Sequence, residues 1–117
     1  MVLKQKESKY FNFEVEKRIR DSAEIVSEKF AKALSFKALG TDCKIKIITN
    51  SNNISSEYFN DVLCWISCFE SRYSRFLESS LICEINNQAG KNKVEINEED
   101  ETLFKLCDEM HFFSRGV

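Results

Sequence analysis

Two pairs of side chains in this chain have the residue types and the spacing of metal ligands. Cys64 and Cys68 stand at positions i and i+4, and Cys107 and His111 repeat that spacing nearer the end of the chain. Such positions share one face of a helix, so the two pairs could converge on a tetrahedral zinc ion. Zinc sites normally draw at least one pair of ligands from a tight loop, and the surrounding sequence predicts helices instead. We therefore predict free thiols, no metal ligand and no catalytic residue.

Gly40-Thr41, directly before an alternating apolar segment, is a candidate for contact with a flat ligand. Glycine lets the backbone approach a ligand without a Cβ atom in the way, and the threonine hydroxyl can form hydrogen bonds. By itself, the dipeptide is more typical of a plain turn. The chain has no Walker loop and no G-x-G-x-x-G sequence, so the commonest nucleotide-binding motifs are excluded as motifs.

Segments of periodic hydrophobicity would have to position these side chains. Apolar residues at gaps of three and four predict an amphipathic helix over residues 14–34. A second such stripe predicts a helix over residues 56–73, capped by Ser55 or Ser56. Between the two helices, alternation over residues 43–47 predicts a strand with one buried face.

Three shorter elements are predicted in the second half of the chain. Ser79 and Ser80 predict the capped start of a short helix, and residues 93–96 alternate as a brief strand. Asn97 and the acidic residues after it predict the start of a helix that continues to Phe113. The residues expected to point inward from that helix are Leu103, Leu106, Cys107, Met110 and Phe113.

Composition indicates one small α+β domain. With 117 residues, 43% of them hydrophobic, the chain can bury a single modest core. A formal net charge of -2 supplies no basic surface for a phosphate backbone, so nucleic acid is not an expected partner. No apolar run approaches the ~20 residues of a membrane span, and the charged N-terminus does not resemble a secretory signal. Five cysteines, an odd number, then predict free thiols and a cytoplasmic location.

Three spaced segments resemble the ApbE family of FAD:protein FMN transferases. Phe36-Lys37-Ala38-Leu39-Gly40-Thr41 is similar to the family's F-x-A-M-G-T segment, which also precedes an alternating strand and a helix. The family next has Ser-x-Tyr, three variable positions, Ser, and an apolar turn that ends in Asn. Residues 114–117 resemble the start of its x-x-Gly-Ala-Phe-Asp segment. The positions of this chain that fill the second segment are Ser74, Phe76, Ser80, Ile82, Ile85 and Asn86.

The resemblance implies an incomplete ApbE-like α+β domain, a small sheet with amphipathic helices, over residues 36–117. Residues 1–35 would form an N-terminal helical extension. The resemblance also implies the family's activity, which uses Mg2+ and moves FMN from its substrate FAD to a Ser or Thr hydroxyl of a flavoprotein. A flavin nucleotide and a flavin-acceptor protein are the partners expected on this basis. The residues that the resemblance assigns to cofactor binding are Leu39, Gly40, Thr41, Phe76 and Val117.

Leu39 and Phe76 depart from the family's usual Met and Tyr. Leucine keeps an apolar contact without the polarisable sulfur, and phenylalanine keeps a ring that can stack without the hydroxyl. The family's metal-binding and histidine segments match no part of this chain, so we expect a fragment that is inactive alone. The alternative is a small non-catalytic α+β protein-interaction domain that docks a partner through phenylalanines and Trp65.

Overall fold

The computed structural model describes residues 8–115 as an α+β arrangement of a three-stranded antiparallel sheet and helices. Contacts along the chain divide it into two compact units, Met1–Asn87 and Gln88–Val117. The elements in chain order are α1 (Phe13–Ser22), β1 (Glu24–Glu28), β2 (Ala31–Ala38), β3 (Thr41–Ile47), α2 (Asn52–Tyr73), α3 (Leu81–Gln88) and α4 (Glu98–Ser114).

The strand order is β1-β2-β3, so β2 is central and pairs on both sides. Each connection is a two-residue turn: Lys29-Phe30 joins β1 to β2, and Leu39-Gly40 joins β2 to β3. Short turns of this kind fix the register of an antiparallel pair, because they set which residues face each other across it.

The core of the first unit lies where α1 and α2 pack against each other and against β2. Leu34, Phe36 and Ala38 contribute from alternate positions of the strand and therefore share one face. Each fully buried aliphatic or aromatic side chain contributes about 1.5–3 kcal/mol to stability. The remaining buried members of this core are Val15, Ile19, Phe59, Leu63 and Ile66.

The helix predicted over residues 14–34 ends at Ser22, and the prediction is wrong for residues 23–34, which contain β1, the Lys29-Phe30 turn and the first half of β2. The Ser22 hydroxyl donates to the carbonyl oxygen of Ile19 at 2.7 Å and accepts from the N–H of Lys37 at 2.9 Å. The Ser22 hydroxyl therefore links the last turn of α1 to β2. The bond to Lys37 would not form if the helix continued past Ser22.

The β1–β2 hairpin was predicted as helix because its apolar residues have a spacing that fits a helix as well as a strand. Ile25 and Val26 are β-branched and favour a strand, yet Val26 also falls on the helical stripe, with Ala23 and Phe30 on either side of it. The Lys29-Phe30 turn contains neither Gly nor Pro, so no local signal separates the two strands. Strand β2 also runs across residue 35, the predicted end of the helical extension.

The strand predicted over residues 43–47 is confirmed by β3. The helix predicted over residues 56–73 is confirmed by α2, but its first turn lies earlier in the chain. Ser51 is its cap and accepts from the N–H of Ile54 at 3.2 Å, so the prediction of Ser55 or Ser56 as cap is wrong. An Asn and Ser cluster favours helix starts as well as turns, which explains the error.

The start of α3 is confirmed, because the Ser80 hydroxyl accepts from the N–H of Cys83 at 3.2 Å. Ser80 is buried, so this bond is shielded from water. An N-cap of this kind contributes about 1 kcal/mol to a helix.

In the second unit, α4 confirms the helix predicted after Asn97. A capping box begins it: Asn97 Oδ1 accepts from the N–H of Asp100 at 2.8 Å, and Asp100 Oδ2 accepts from the N–H of Asn97 at 2.9 Å. The strand predicted over residues 93–96 is wrong, since this segment has no regular structure. Four residues need a neighbouring strand to pair with before they form one.

The inward orientation predicted for the α4 stripe is wrong for four of its members. Leu103 is half-buried, whereas Leu106, Cys107, Met110 and Phe113 are exposed. A helix needs a second element to cover its apolar stripe, and periodicity alone does not say whether one is present.

Candidate functional site

The first unit contains a pocket of about 750 Å³ at the C-terminal end of α2. Four stretches of chain surround it: the start of α1, the β2–β3 turn, the last turns of α2 and the segment after that helix. A volume of this size falls within the range of small-molecule sites, roughly 300–1,000 Å³. The lining residues are Asn12, Glu14, Val15, Arg18, Leu39, Gly40, Phe69, Glu70, Tyr73, Ser74, Arg75, Phe76 and Leu77.

The β2–β3 turn brings the backbone to the edge of this pocket. Leu39 has φ +55° and Gly40 has φ +72°, so both residues are left-handed, as in a type I′ hairpin turn. A Cβ atom added at Gly40 would meet no other atom within 4 Å. Space is therefore open beside the glycine, and the backbone there is accessible to a ligand.

Glu70 connects the turn to both helices. Its side chain is 6% exposed, and its Oε1 accepts a hydrogen bond from the N–H of Leu39. Its Oε2 accepts from the guanidinium of Arg18, which reaches across from α1. A buried carboxylate is stable only when its oxygens are paired, and both are paired here.

Phe76 is also among the residues that line the pocket. Ser74 is the C-cap of α2, and its hydroxyl accepts from the N–H of Phe76 at 3.3 Å, which fixes the chain direction after the helix. The Phe76 side chain is 82% exposed, and the Arg75 guanidinium lies 4.8 Å from its ring centroid. A ring exposed to this degree at a pocket wall can stack on a planar ligand.

A row of aromatic rings continues from the pocket along α2. The Phe69 ring stacks on that of Trp65, with 5.3 Å between the centroids, and its centroid is 4.9 Å from that of Tyr73. Phe69 and Tyr73 line the pocket, and Trp65 lies one ring further along. The wall is therefore apolar and aromatic over the end of the helix.

The charges around the pocket come in both signs. Arg18 and Arg75 carry positive charge, and Glu14 and Glu70 carry negative charge. Since Arg18 is already paired with Glu70, Arg75 is the guanidinium available to an anionic group on a ligand. Chemically, the arrangement can hold a flat aromatic molecule and contact a phosphate at one edge.

Three of the residues that the resemblance assigns to flavin binding meet at this pocket: Leu39, Gly40 and Phe76. Thr41, the first residue of β3, is exposed and is not among the lining residues. Val117 lies outside the described residues. The pocket thus joins two of the sequence segments on which the resemblance depends.

Sequence reasoning missed Glu70 and Arg18. Glu70 follows Leu63 and Ile66 at helical spacing on the inward stripe of α2, where a carboxylate is out of place. A charged residue in an apolar stripe signals a buried and paired group, because burial without a partner is too unfavourable. That signal could have identified Glu70, but not its two partners.

The candidate metal ligands do not form a site among residues 8–115. No group of three or more His, Cys, Asp or Glu side chains in this range could hold a metal ion. Cys64 and Cys68 are buried in α2, and Cys107 is exposed on α4. In the same range, no helix is both long enough and apolar enough to cross a membrane.

No protein-family model, no curated protein and no solved structure matches this chain. The resemblance to the ApbE family therefore stays a prediction, and it depends on the residues and the pocket described above.

Proposed function

We propose that the first unit forms one wall of a flavin-nucleotide site of the ApbE type. The observation that carries the proposal is the pocket that Leu39, Gly40 and Phe76 share, although these residues come from segments far apart in the chain. The flavin ring would stack against Phe76 and lie beside the backbone of Gly40. Arg75 would face the phosphate groups of the nucleotide.

The residues present fit the flavin better than they fit the metal. An exposed ring, open space at Gly40 and an aromatic wall are what a planar cofactor needs. Mg2+ prefers carboxylate and carbonyl oxygens, and no ligand group for it occurs among residues 8–115. The role of this chain is accordingly to bind and orient FAD. The resemblance identifies no residue of this chain as a metal ligand or as the catalytic histidine.

Titration with FAD tests the proposal. Purified chain should quench FAD fluorescence in a saturable way, and Phe76→Ala should weaken the affinity about tenfold, which corresponds to ~1.4 kcal/mol. Phe112→Ala is the matched control, since Phe112 is 78% exposed and belongs to the second unit. The proposal fails if the chain does not bind FAD, or if the two variants bind it equally well.

A protein-interaction domain is the second candidate, and one feature of α2 favours it. Ile54, Tyr58 and Trp65 fall on one stripe of the helix and are 57%, 47% and 48% exposed. An exposed aromatic stripe of this kind is typical of a docking surface. A partner bound there should protect both Trp65 and Tyr58 from solvent quenchers. FAD bound in the pocket would leave Tyr58 unaffected, so the response of Tyr58 separates the two candidates.

A further inference from the structure

Leu39 holds a backbone conformation that its side chain disfavours. At φ +55° the Cβ atom crowds the following carbonyl oxygen, and for a bulky residue such a conformation is a true outlier. The first position of a two-residue hairpin turn of this type is usually Asn, Asp or Gly. A leucine persists there only when the surrounding structure holds it in place.

The carboxylate of Glu70 accepts a hydrogen bond from the backbone of this residue. This side chain is buried on α2, accepts from the N–H of Leu39, and is fixed from its other oxygen by Arg18. Helix α2 is packed into the core through Phe59 and Leu63, so the carboxylate has little freedom to follow a moving turn. The turn is thus tied to the end of the helix that presents the aromatic wall.

We infer that Glu70 is a positioning residue of the pocket: its carboxylate holds the Leu39-Gly40 turn in its left-handed form, and Arg18 holds the carboxylate. The inference rests on the proposed function only in taking FAD as the ligand. Glu70 acts through the backbone of Leu39, so its loss would move Gly40 away from the position where it lies beside a bound ring.

The chain supplies its own control for this inference. Phe30, in the other hairpin turn, also has a positive φ of 62° and is half exposed, but it lies outside the pocket lining. Glycine at either position relieves the same kind of backbone strain. Only glycine at position 39 should make the turn independent of Glu70.

The experiment combines amide hydrogen exchange at Leu39 with FAD titration in single and double variants. Glu70→Ala should speed exchange of the Leu39 amide about tenfold relative to other β2 amides and weaken FAD binding about tenfold. Glu70→Gln, which keeps an oxygen acceptor, should lose less. Adding Leu39→Gly to Glu70→Ala should recover a few-fold of the lost affinity, and adding Phe30→Gly should recover none.

Two results would overturn the inference: a Leu39 amide whose exchange does not respond to Glu70→Ala, or equal recovery by Phe30→Gly and Leu39→Gly. If Glu70→Ala does not fold, the same comparison is made with Glu70→Gln, which should harm binding less in the Leu39→Gly background than in the wild type. A wild-type chain that does not bind FAD would end the proposed function, while the exchange measurement would still decide whether Glu70 holds the turn.

Discussion

Alanine at Gly40 separates two roles of this glycine, its backbone conformation and its contact with a ligand. Gly40 and Gly90 have nearly equal positive φ values, +72° and +76°, and a Cβ atom at either meets nothing within 4 Å. Alanine at either position therefore introduces left-handed strain and no clash. The strain is about 1–2 kcal/mol, and the reduced freedom of the unfolded chain offsets part of it.

We expect Gly40→Ala to lower stability by about 1 kcal/mol, which lowers the melting temperature of a domain this small by roughly 4–8 °C. Gly90→Ala should cause a comparable strain in the second unit. Only Gly40→Ala should also weaken FAD binding, by about tenfold, because the added methyl group occupies space beside the pocket. Circular dichroism during heating gives the first quantity, and fluorescence titration gives the second.

The comparison can refute the reasoning in two ways. Unchanged FAD affinity in a destabilised Gly40→Ala variant would mean that no ligand approaches the backbone at Gly40. Equal loss of FAD affinity in Gly40→Ala and Gly90→Ala would mean that the effect is general to the fold and not local to the pocket.

Two further predictions concern stability outside the pocket. Hydrogen bonding and attraction from the Lys46 ammonium lower the pKa of Glu28 below its usual 4.5. The pair therefore stabilises the fold at pH values above about 4.5, and this contribution is lost as the pH falls through the lower folded-state pKa. Unfolding measured against pH should show that loss of stability in the wild type and not in Glu28→Gln. Added salt should make the loss smaller. If Glu28→Gln has the same pH profile as the wild type, the pairing is contradicted. Asn97→Ala removes half of the α4 capping box and should lower helix stability by about 1 kcal/mol in thermal unfolding. FAD titration should be unaffected. Unchanged thermal unfolding would show that the cap is dispensable.

Local signals in the sequence predicted the parts of the fold that local chemistry decides. The alternation in β3, the long apolar stripe of α2 and the Asn97 cap each depend on residues close together in the chain. The β1–β2 hairpin escaped prediction because its apolar spacing also fits a helix and its turn lacks Gly and Pro.

The candidate site was predictable only in part for a similar reason. Gly40 and Phe76 are identified by the segments in which they occur, and their meeting at one pocket requires the fold. Glu70 stands out as a charge in an apolar stripe, but its bonds to Arg18 and Leu39 join three separate elements. Interactions between elements distant in sequence leave no periodic or motif signal.

Trp65 offers the most direct test of a flavin in the pocket. It is the single tryptophan of the chain, and its ring stacks on Phe69, which lines the pocket. A flavin bound there would accept excitation energy from Trp65, so added FAD should quench tryptophan emission in a saturable way, and Phe76→Ala should require more FAD for the same effect. Tryptophan emission that does not respond to FAD, or that responds equally in Phe76→Ala, would contradict a flavin site at this pocket.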